Sequence, residues 1–384
     1  MERLNSKLYA LPARDGDCLL FQFQNHKGEY RHILIDGGNR TQLDFNNLKT
    51  TMLEILKNGG NGQIDLVVVT HSDDDHISGI LKILGDNELN QKVKKIWFNS
   101  ERTISDFLKK KFKKTQNYTV TSNDNKTVKS SRIQDNDLYN ILDKDDRWHK
   151  EIILAGKTEI IDNLEITVLS PFIENLKKLN LYWPTQKKRT VKSSATKEFD
   201  YNITFKQFEK NMPKFKEDSS PVNGASIALL LKWEDKKFLL LSDAHPTVIV
   251  SSLEEKYQDN LPLEVDLFKV SHHGSAKNTS DELLNIVDCK NFIISANANK
   301  KHYHPNKETL SRVLINKGIS NTEFYFTYSN VDLKRIFNDL PSVKMFFPTK
   351  HEIGVCFEYE HSISRWAYGK SSSRGEKKQR LYLC

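Results

Sequence analysis

Cysteine is scarce in this sequence. Cys18, Cys289, Cys356 and Cys384 are the four that occur in 384 residues, and none forms a CxxC pair. A disulfide framework and a thiolate zinc knuckle both need such pairing, so neither is expected. The first three sit in apolar contexts and read as core residues; Cys384 reads as a free tail thiol. Long apolar runs are lacking as well, none approaching the roughly 20 residues that cross a bilayer. The start MERLNSKLYALPARDGD has no basic-then-apolar layout of a signal peptide. A cytoplasmic location is the expectation.

An acidic excess is also missing: 58 Lys and Arg stand against 50 Asp and Glu, for a net charge of +8. Residues 101–220 hold 24 basic and 18 acidic side chains, so most of the excess lies there. A surface that meets polyanions is expected on this segment, with Lys187, Lys188 and Arg189 as candidate nucleic-acid contacts. The competing reading is a solvated, lysine-rich set of loops. With 20 Phe and 13 Tyr the chain is too rich in core formers to be disordered. One α/β domain over residues 1–384 is expected, with polar insertions at about 101–150 and 173–220 and a mobile basic tail at 365–384.

The pattern of elements supports that organisation. Strands are expected at LYALPARDGDCLLFQF, RHILIDGG, IDLVVVT and VKKIWFN. Hairpins are expected at KTEIIDNLEITVLSP, turning near Asp162 and Asn163, and at SIALLLKWEDKKFLLLSDAH. Residues 43–60 read as a helix, with Leu48, Met52, Ile55 and Leu56 on one face and Gly59 and Gly60 as its stop. Further helices are expected at DELLNIV and KETLSRVLINKG, with the strand NFIISAN between them.

Chemistry concentrates where strands end. In THSDDDHISG, His71, Asp73, Asp75 and His76 follow a buried-type strand within six residues, imidazoles and carboxylates that a turn can converge on divalent cations. A solvated acidic turn capping a helix at Ile77 would explain the aspartates but not two flanking histidines. In FLLLSDAH an apolar strand ends in Asp243, a costly carboxylate to bury unless it is paired or ligates a metal; the alternative is a helix cap. In FKVSHHGS another strand ends in His272 and His273, where the bland reading is a core histidine beside a turn.

These three clusters, in this order, resemble the metallo-β-lactamase superfamily, whose first motif is normally HxHxDH. Here Asp73 stands where that motif has its second histidine. The THxDxDHxxG form is similar to the hydrolase domain of DNA-uptake competence proteins of the ComEC type. Five pieces carry the likeness: GDCLLF at 16–21, IDGG at 35–38, NGASIALLL at 223–231, VSHHGS at 270–275 and HPNKETL at 304–310.

The resemblance implies a four-layer αββα sandwich with the motifs at one edge. It implies two divalent ions, Zn²⁺ or Mn²⁺: one held by His71 and Asp73, a second by Asp75, His76 and His272, with Asp243 bridging and His273 as the fallback for His272. Asp36 would support the metal loop through hydrogen bonds, its alternative being a turn residue. Asn223 and Ser226 stand near the place of a further family histidine that this chain lacks. Asp75 belongs to the catalytic centre, and His304 is the candidate to protonate a leaving oxygen or bind phosphate, or else an exposed loop histidine. His245 reads as structural.

The function implied is a metal-dependent phosphodiesterase or nuclease working through a metal-activated hydroxide. A hydrolase of small esters, lactones, lactams or thioesters is the main alternative, because fold does not fix function. A non-catalytic binding or sensor subunit is the third. A place in antiviral defence rests on family association alone, and so does any protein partner; no membrane partner is expected.

Overall fold

The computed structural model describes residues 2–38, 41–58, 60, 62–110, 119–121, 127–129, 131–183, 199–299, 303–349, 354–363 and 379–382. Two mixed sheets dominate it. The first runs, in spatial order, Gln379–Tyr382, Val355–Ile363, Glu2–Ala10, Leu19–Gln24, Tyr30–Ile35, Leu66–Val69 and Ile96–Phe98. The second runs Lys344–Phe346, Glu323–Phe326, Asn291–Ile294, Leu267–Lys269, Lys236–Leu240, Ala228–Trp233, Leu164–Ser170 and Thr158–Ile161. Each has an antiparallel part built from hairpins and a parallel part built from crossovers: Ile33 pairs with Leu66 in the first, and Phe238 with Leu267 in the second.

Period-two alternation sorts the side chains of both sheets. Phe21, Ile33, Leu66 and Val68 point inward and meet Ile166, Leu229, Phe238 and Leu267 of the facing sheet in one buried cluster. Their neighbours Leu20, Leu34, Val67 and Val69 point outward, against Leu48 and Met52 of the helix Gln42–Asn58 and Ile77, Ile80 and Ile83 of the helix Asp74–Gly85. Leu230, Leu239, Phe268 and Phe292 do the same on the far side, against Ile249, Leu283, Leu310 and Val313 of three further helices. Helix, sheet, sheet, helix is the resulting layer order, as the family resemblance implied.

Both hairpins form where expected, turning at Asp162 and Asn163 and at Glu234 and Asp235. The polar stretches hold more structure than their weak periodicity suggested: Glu101–Phe107, Ser131–Leu142, Ile173–Tyr182 and Phe205–Lys210 are helices. Part of the tail expected to be mobile pairs as an edge strand, Gln379 opposite Tyr359. Cys18, Cys289 and Cys356 are buried and form no disulfide among the described residues, whereas Cys384 lies outside them. No helix among the described residues is long and apolar enough to cross a membrane.

The parallel strands of both sheets deliver their carboxyl ends to one edge, where Asp36, His71, Asp243 and His272 follow them. A glycine contact sets the position of the first metal-motif helix against that edge. A Cβ on Gly79 would stand 2.0 Å from the Gly37 carbonyl oxygen, and one on Gly37 would stand 2.4 Å from the Ile80 nitrogen. Backbone meets backbone there: Gly79 donates to the Gly38 carbonyl at 2.9 Å, and Gly37 to the His76 carbonyl at 2.9 Å. Gly79→Ala therefore has to push the helix and His76 outward. We expect a loss of about 1–3 kcal/mol in urea unfolding. Gly85→Ala in the same helix, where an added Cβ meets nothing within 4 Å, should leave stability unchanged or slightly raised.

Candidate metal centre

His71 and Asp73 arrive on the turn after Leu66–Val69. Asp73 holds the N-cap position of the helix Asp74–Gly85, yet its side chain makes no cap hydrogen bond. Its carboxylate lies 3.8 Å from His71 Nε2 instead, so the acidic-turn reading does not describe this loop. His76 is in the first helical turn and fully buried. Asp243 follows Lys236–Leu240 and is buried, with Oδ1 3.5 Å from His76 Nε2 and Oδ2 3.8 Å from His71 Nε2.

The histidine pair occupies a tight turn, Ser271–Gly274, with left-handed φ of 47° at His272 and 55° at His273. Two successive left-handed residues send the two rings apart. His273, not His272, reaches Asp75 and His76: its Nε2 lies 3.4 Å from Asp75 Oδ2, 3.3 Å from His76 Nε2 and 3.5 Å from Asp243 Oδ1. His272 turns to the other oxygen of Asp243, its Nε2 3.7 Å from Oδ2, on the side of His71. The grouping of Asp75, His76 and His272 is thereby corrected, because backbone torsion decides which imidazole faces which carboxylate oxygen.

All four imidazoles are held the same way. His76 Nδ1 donates to Asp36 at 2.7 Å, His273 Nδ1 to the Ser295 carbonyl at 3.0 Å, His272 Nδ1 to the Asn278 amide oxygen at 2.9 Å, and His71 Nδ1 meets Thr70 Oγ1 at 3.0 Å. Each Nε2 is left facing an oxygen of Asp243, and with Nδ1 engaged it is the nitrogen free to ligate a metal once any proton on it is displaced. Asp36 takes three bonds, from His76, from the Thr70 amide at 2.8 Å and from the Thr70 hydroxyl at 2.6 Å.

The donor set fits divalent cations. Buried His71 Nε2 and Asp243 Oδ1 have no hydrogen-bond partner, which is costly unless something else meets them. Candidate ligand atoms of His71, His76 and Asp243 lie within 4.8 Å of one another, as do those of Asp75, His76 and His273. The ligands of a tetrahedral ion bound at about 2.0–2.2 Å stand about 3.4 Å apart.

Around this cluster, Asn223 donates to Asp218 at 2.7 Å and comes within 3.5 Å of His272 Nδ1. Ser226 is fully buried next to Ile227, whose amide donates to the Thr70 carbonyl. The His304 ring lies 5.1 Å from that of His272. His245 is 3.8 Å from Asp218 and outside the cluster. Lys187, Lys188 and Arg189 lie outside the described residues. Asp17, in GDCLLF, is the member that sequence reasoning missed: buried, with Oδ1 3.4 Å from His273 Nδ1.

Burial alone would push His76 and His273 down, but surrounding carboxylates outweigh it. Asp243, Asp36 and Asp75 hold His76 well above its usual range, and Asp243 and Asp17 raise His273 to about 9. Burial lowers His71, with the neighbouring His76 adding to the effect. Asp243 is held well below the carboxylate range, its burial overcome by His272, His273 and His76. In the metal-free chain, then, the cluster keeps protons that a metal must displace.

Two measurements follow. Between pH 7 and 9 metal affinity should rise by about tenfold per unit for each proton displaced. Over the same interval the metal-free chain should lose stability, because a raised imidazole stabilises the fold fully below its ordinary value of 6.5 and ceases to do so as pH climbs through about 9. Competition against a chromophoric chelator and urea unfolding read the two slopes, and slopes of the same sign would contradict the assignment. Asp36→Asn should weaken metal binding by about 10–100-fold by loosening His76.

Residues 12–127 match the family model of the metallo-beta-lactamase superfamily. ComE operon protein 3 of Bacillus subtilis (strain 168) is 28% identical over 94 residues, which cover 24% of this chain and 12% of that protein's length. Among solved structures, the metallo-beta-lactamase fold protein YhfI from Bacillus subtilis superposes with a TM-score of 0.40 and 11% identity, covering 92% of this chain and 99% of that one. A long form RNase Z from yeast gives 0.39 and 10%, covering 99% and 49%. These superpositions are too distant to say anything of chemistry. The match over residues 12–127, the paired sheets between helix layers and the histidine and aspartate loops meeting at one edge identify the chain as a protein of the metallo-β-lactamase fold.

Proposed function

We propose that the chain is a metal-dependent phosphodiesterase that acts on nucleic acid. The observation that carries the hydrolytic reading is the convergence of four Nε2 atoms on the two oxygens of Asp243. His71, Asp73 and His272 would hold one divalent ion with Asp243 Oδ2, and Asp75, His76 and His273 a second with Asp243 Oδ1. Such ions activate water as a nucleophile and polarise the phosphoryl oxygen under attack.

The chain's own groups do the rest. Asp36 and Thr70 fix the rings of His76 and His71, and Ser295 and Asn278 fix those of His273 and His272. Asp75 and Asp73 stay half-buried, open toward a substrate. His304, whose ring lies 5.1 Å from that of His272, would hand a proton to a leaving oxygen. The nucleic-acid part rests on the net charge of +8, on the basic segment 101–220, and on the likeness to the competence-type hydrolase domain. Aspartate in place of the motif's second histidine makes the first subsite more oxygen-rich, so Mn²⁺ should serve at least as well as Zn²⁺.

A metal-replete digest of single-stranded DNA, duplex DNA and RNA, run beside ester, lactone and lactam substrates, tests this reading. We expect nucleic-acid cleavage that Asp75→Ala or Asp243→Ala abolishes while binding persists. Alanine at Lys187, Lys188 and Arg189 should weaken binding and reduce its salt dependence by about one ion per lost phosphate contact. Turnover of a small ester with no nucleic-acid cleavage under Mn²⁺, Mg²⁺ or Zn²⁺ would give the function to the alternative class. Metal binding with no turnover of either would leave the sensor reading.

A further inference from the structure

Behind the metal cluster lies a charge that the proposed reaction does not use. Lys269 sits in the apolar strand Leu267–Lys269 and is fully buried, as is Asp17 in the loop that leads into the strand Leu19–Gln24 of the opposite sheet, and the two form an ion pair. The Lys269 ammonium also donates to the Ser242 carbonyl at 3.2 Å, and the His272 amide donates to that same carbonyl at 2.8 Å. Asp17 Oδ1 faces His273 Nδ1 at 3.4 Å and has no hydrogen bond of its own. One ammonium thus touches the turn before Asp243 and, through Asp17, the ring of His273, while bridging the two sheets.

Asp17 could be a ligand itself. Its carboxylate, Asp243 and His273 make a third group of candidate ligand atoms within 4.8 Å of one another. The ammonium already stands against that carboxylate and supplies a fixed positive charge where a further cation would otherwise be drawn. A buried ion pair adds little net stability, because desolvation consumes most of the Coulomb gain, whereas stranding one partner is strongly destabilising. What this pair supplies is placement.

We propose that Asp17 and Lys269 form a positioning pair for the His273 side of the metal centre, locking the Asp243 turn and the His273 ring across the two sheets and keeping the Asp17 carboxylate out of the ligand set. The inference rests on the metal-centre reading and not on the choice of substrate. Neither residue touches the reacting atoms.

The test is metal binding by the purified full chain, read by chelator competition with Zn²⁺ and Mn²⁺ and by metal content after dialysis. Lys269→Met alone leaves a buried carboxylate unpaired and should lower the melting temperature sharply. The double variant Asp17→Asn with Lys269→Met removes both charges and should melt within a few degrees of the parent. It should nevertheless bind the ion on the His273 side about 10–100-fold less tightly. A purely structural pair would give the double variant the parent's affinity and metal content, and that result overturns the proposal. Should the double variant not fold, Asp17→Asn with Lys269→Gln decides, since it strands neither charge and two amides can still meet there. Weakened metal binding with native near-ultraviolet circular dichroism is then expected, and parental binding overturns the proposal. A parent chain that binds neither metal would instead overturn the metal-centre reading, so the two failures are distinguishable.

Discussion

Five carboxylates crowd one end of this fold, three of them, Asp17, Asp36 and Asp243, almost wholly withdrawn from water. Negative charge in such a place must be neutralised locally or the site would not assemble. The structure meets that constraint in layers. Asp17 takes the ammonium of Lys269, Asp36 takes hydrogen bonds from His76 and Thr70, and Asp243 faces four imidazole nitrogens. On the proposed reading divalent cations would complete the balance beside Asp243, and without them protons on His76 and His273 take that part.

That constraint accounts for the local backbone. Asp36, Ser242, His272 and His273 all adopt left-handed φ although none is glycine. Each such residue costs about 1–2 kcal/mol. Strained torsions cluster at functional sites because the surroundings over-determine them. Here they turn strand ends sharply enough that side chains from four parallel strands meet at one point. The glycines of IDGG and DHISG act for the opposite reason: no side chain fits where Gly37 and Gly79 pass each other.

Much of this was legible in the sequence. Strand ends bearing His71, Asp243 and His272, the two hairpins and the helix layers follow from alternation and from polar groups that end apolar runs. The distinction between His272 and His273 was not legible, because alternation predicts opposite faces only for extended backbone, and two left-handed residues break that rule. Asp17, inside GDCLLF, carried no pattern that set it apart from a turn residue before a strand. Lys269 did carry a signal, a lone lysine inside LFKV, since a charge in a strand buried on both faces has to be paired. The helices of the polar stretches hid their inner faces because charged residues interrupt the apolar ones there: Arg132 and Asp135 are buried in the same helix as Leu138 and Leu142.

Those buried charges also decide how the inserted stretches relate to the site. Asp135 accepts from the Ser72 hydroxyl at 2.9 Å, between His71 and Asp73, and from the Glu101 amide at 3.1 Å. Glu101 in turn accepts from Arg132 at 2.7 Å, and Arg132 donates to the Trp183 carbonyl at 2.9 Å, at the start of the second stretch's undescribed part. Asp135 is fully buried, and that burial raises it to about 7 in spite of these donors. A loop that merely decorated the sandwich would place its charges in solvent. These instead run as one chain of hydrogen bonds from both stretches to the metal loop. Removing the first stretch would leave the Ser72 hydroxyl without its partner in a dry interior, a cost borne first by the turn that carries His71 and Asp73, and removing the second would take the Trp183 carbonyl from Arg132.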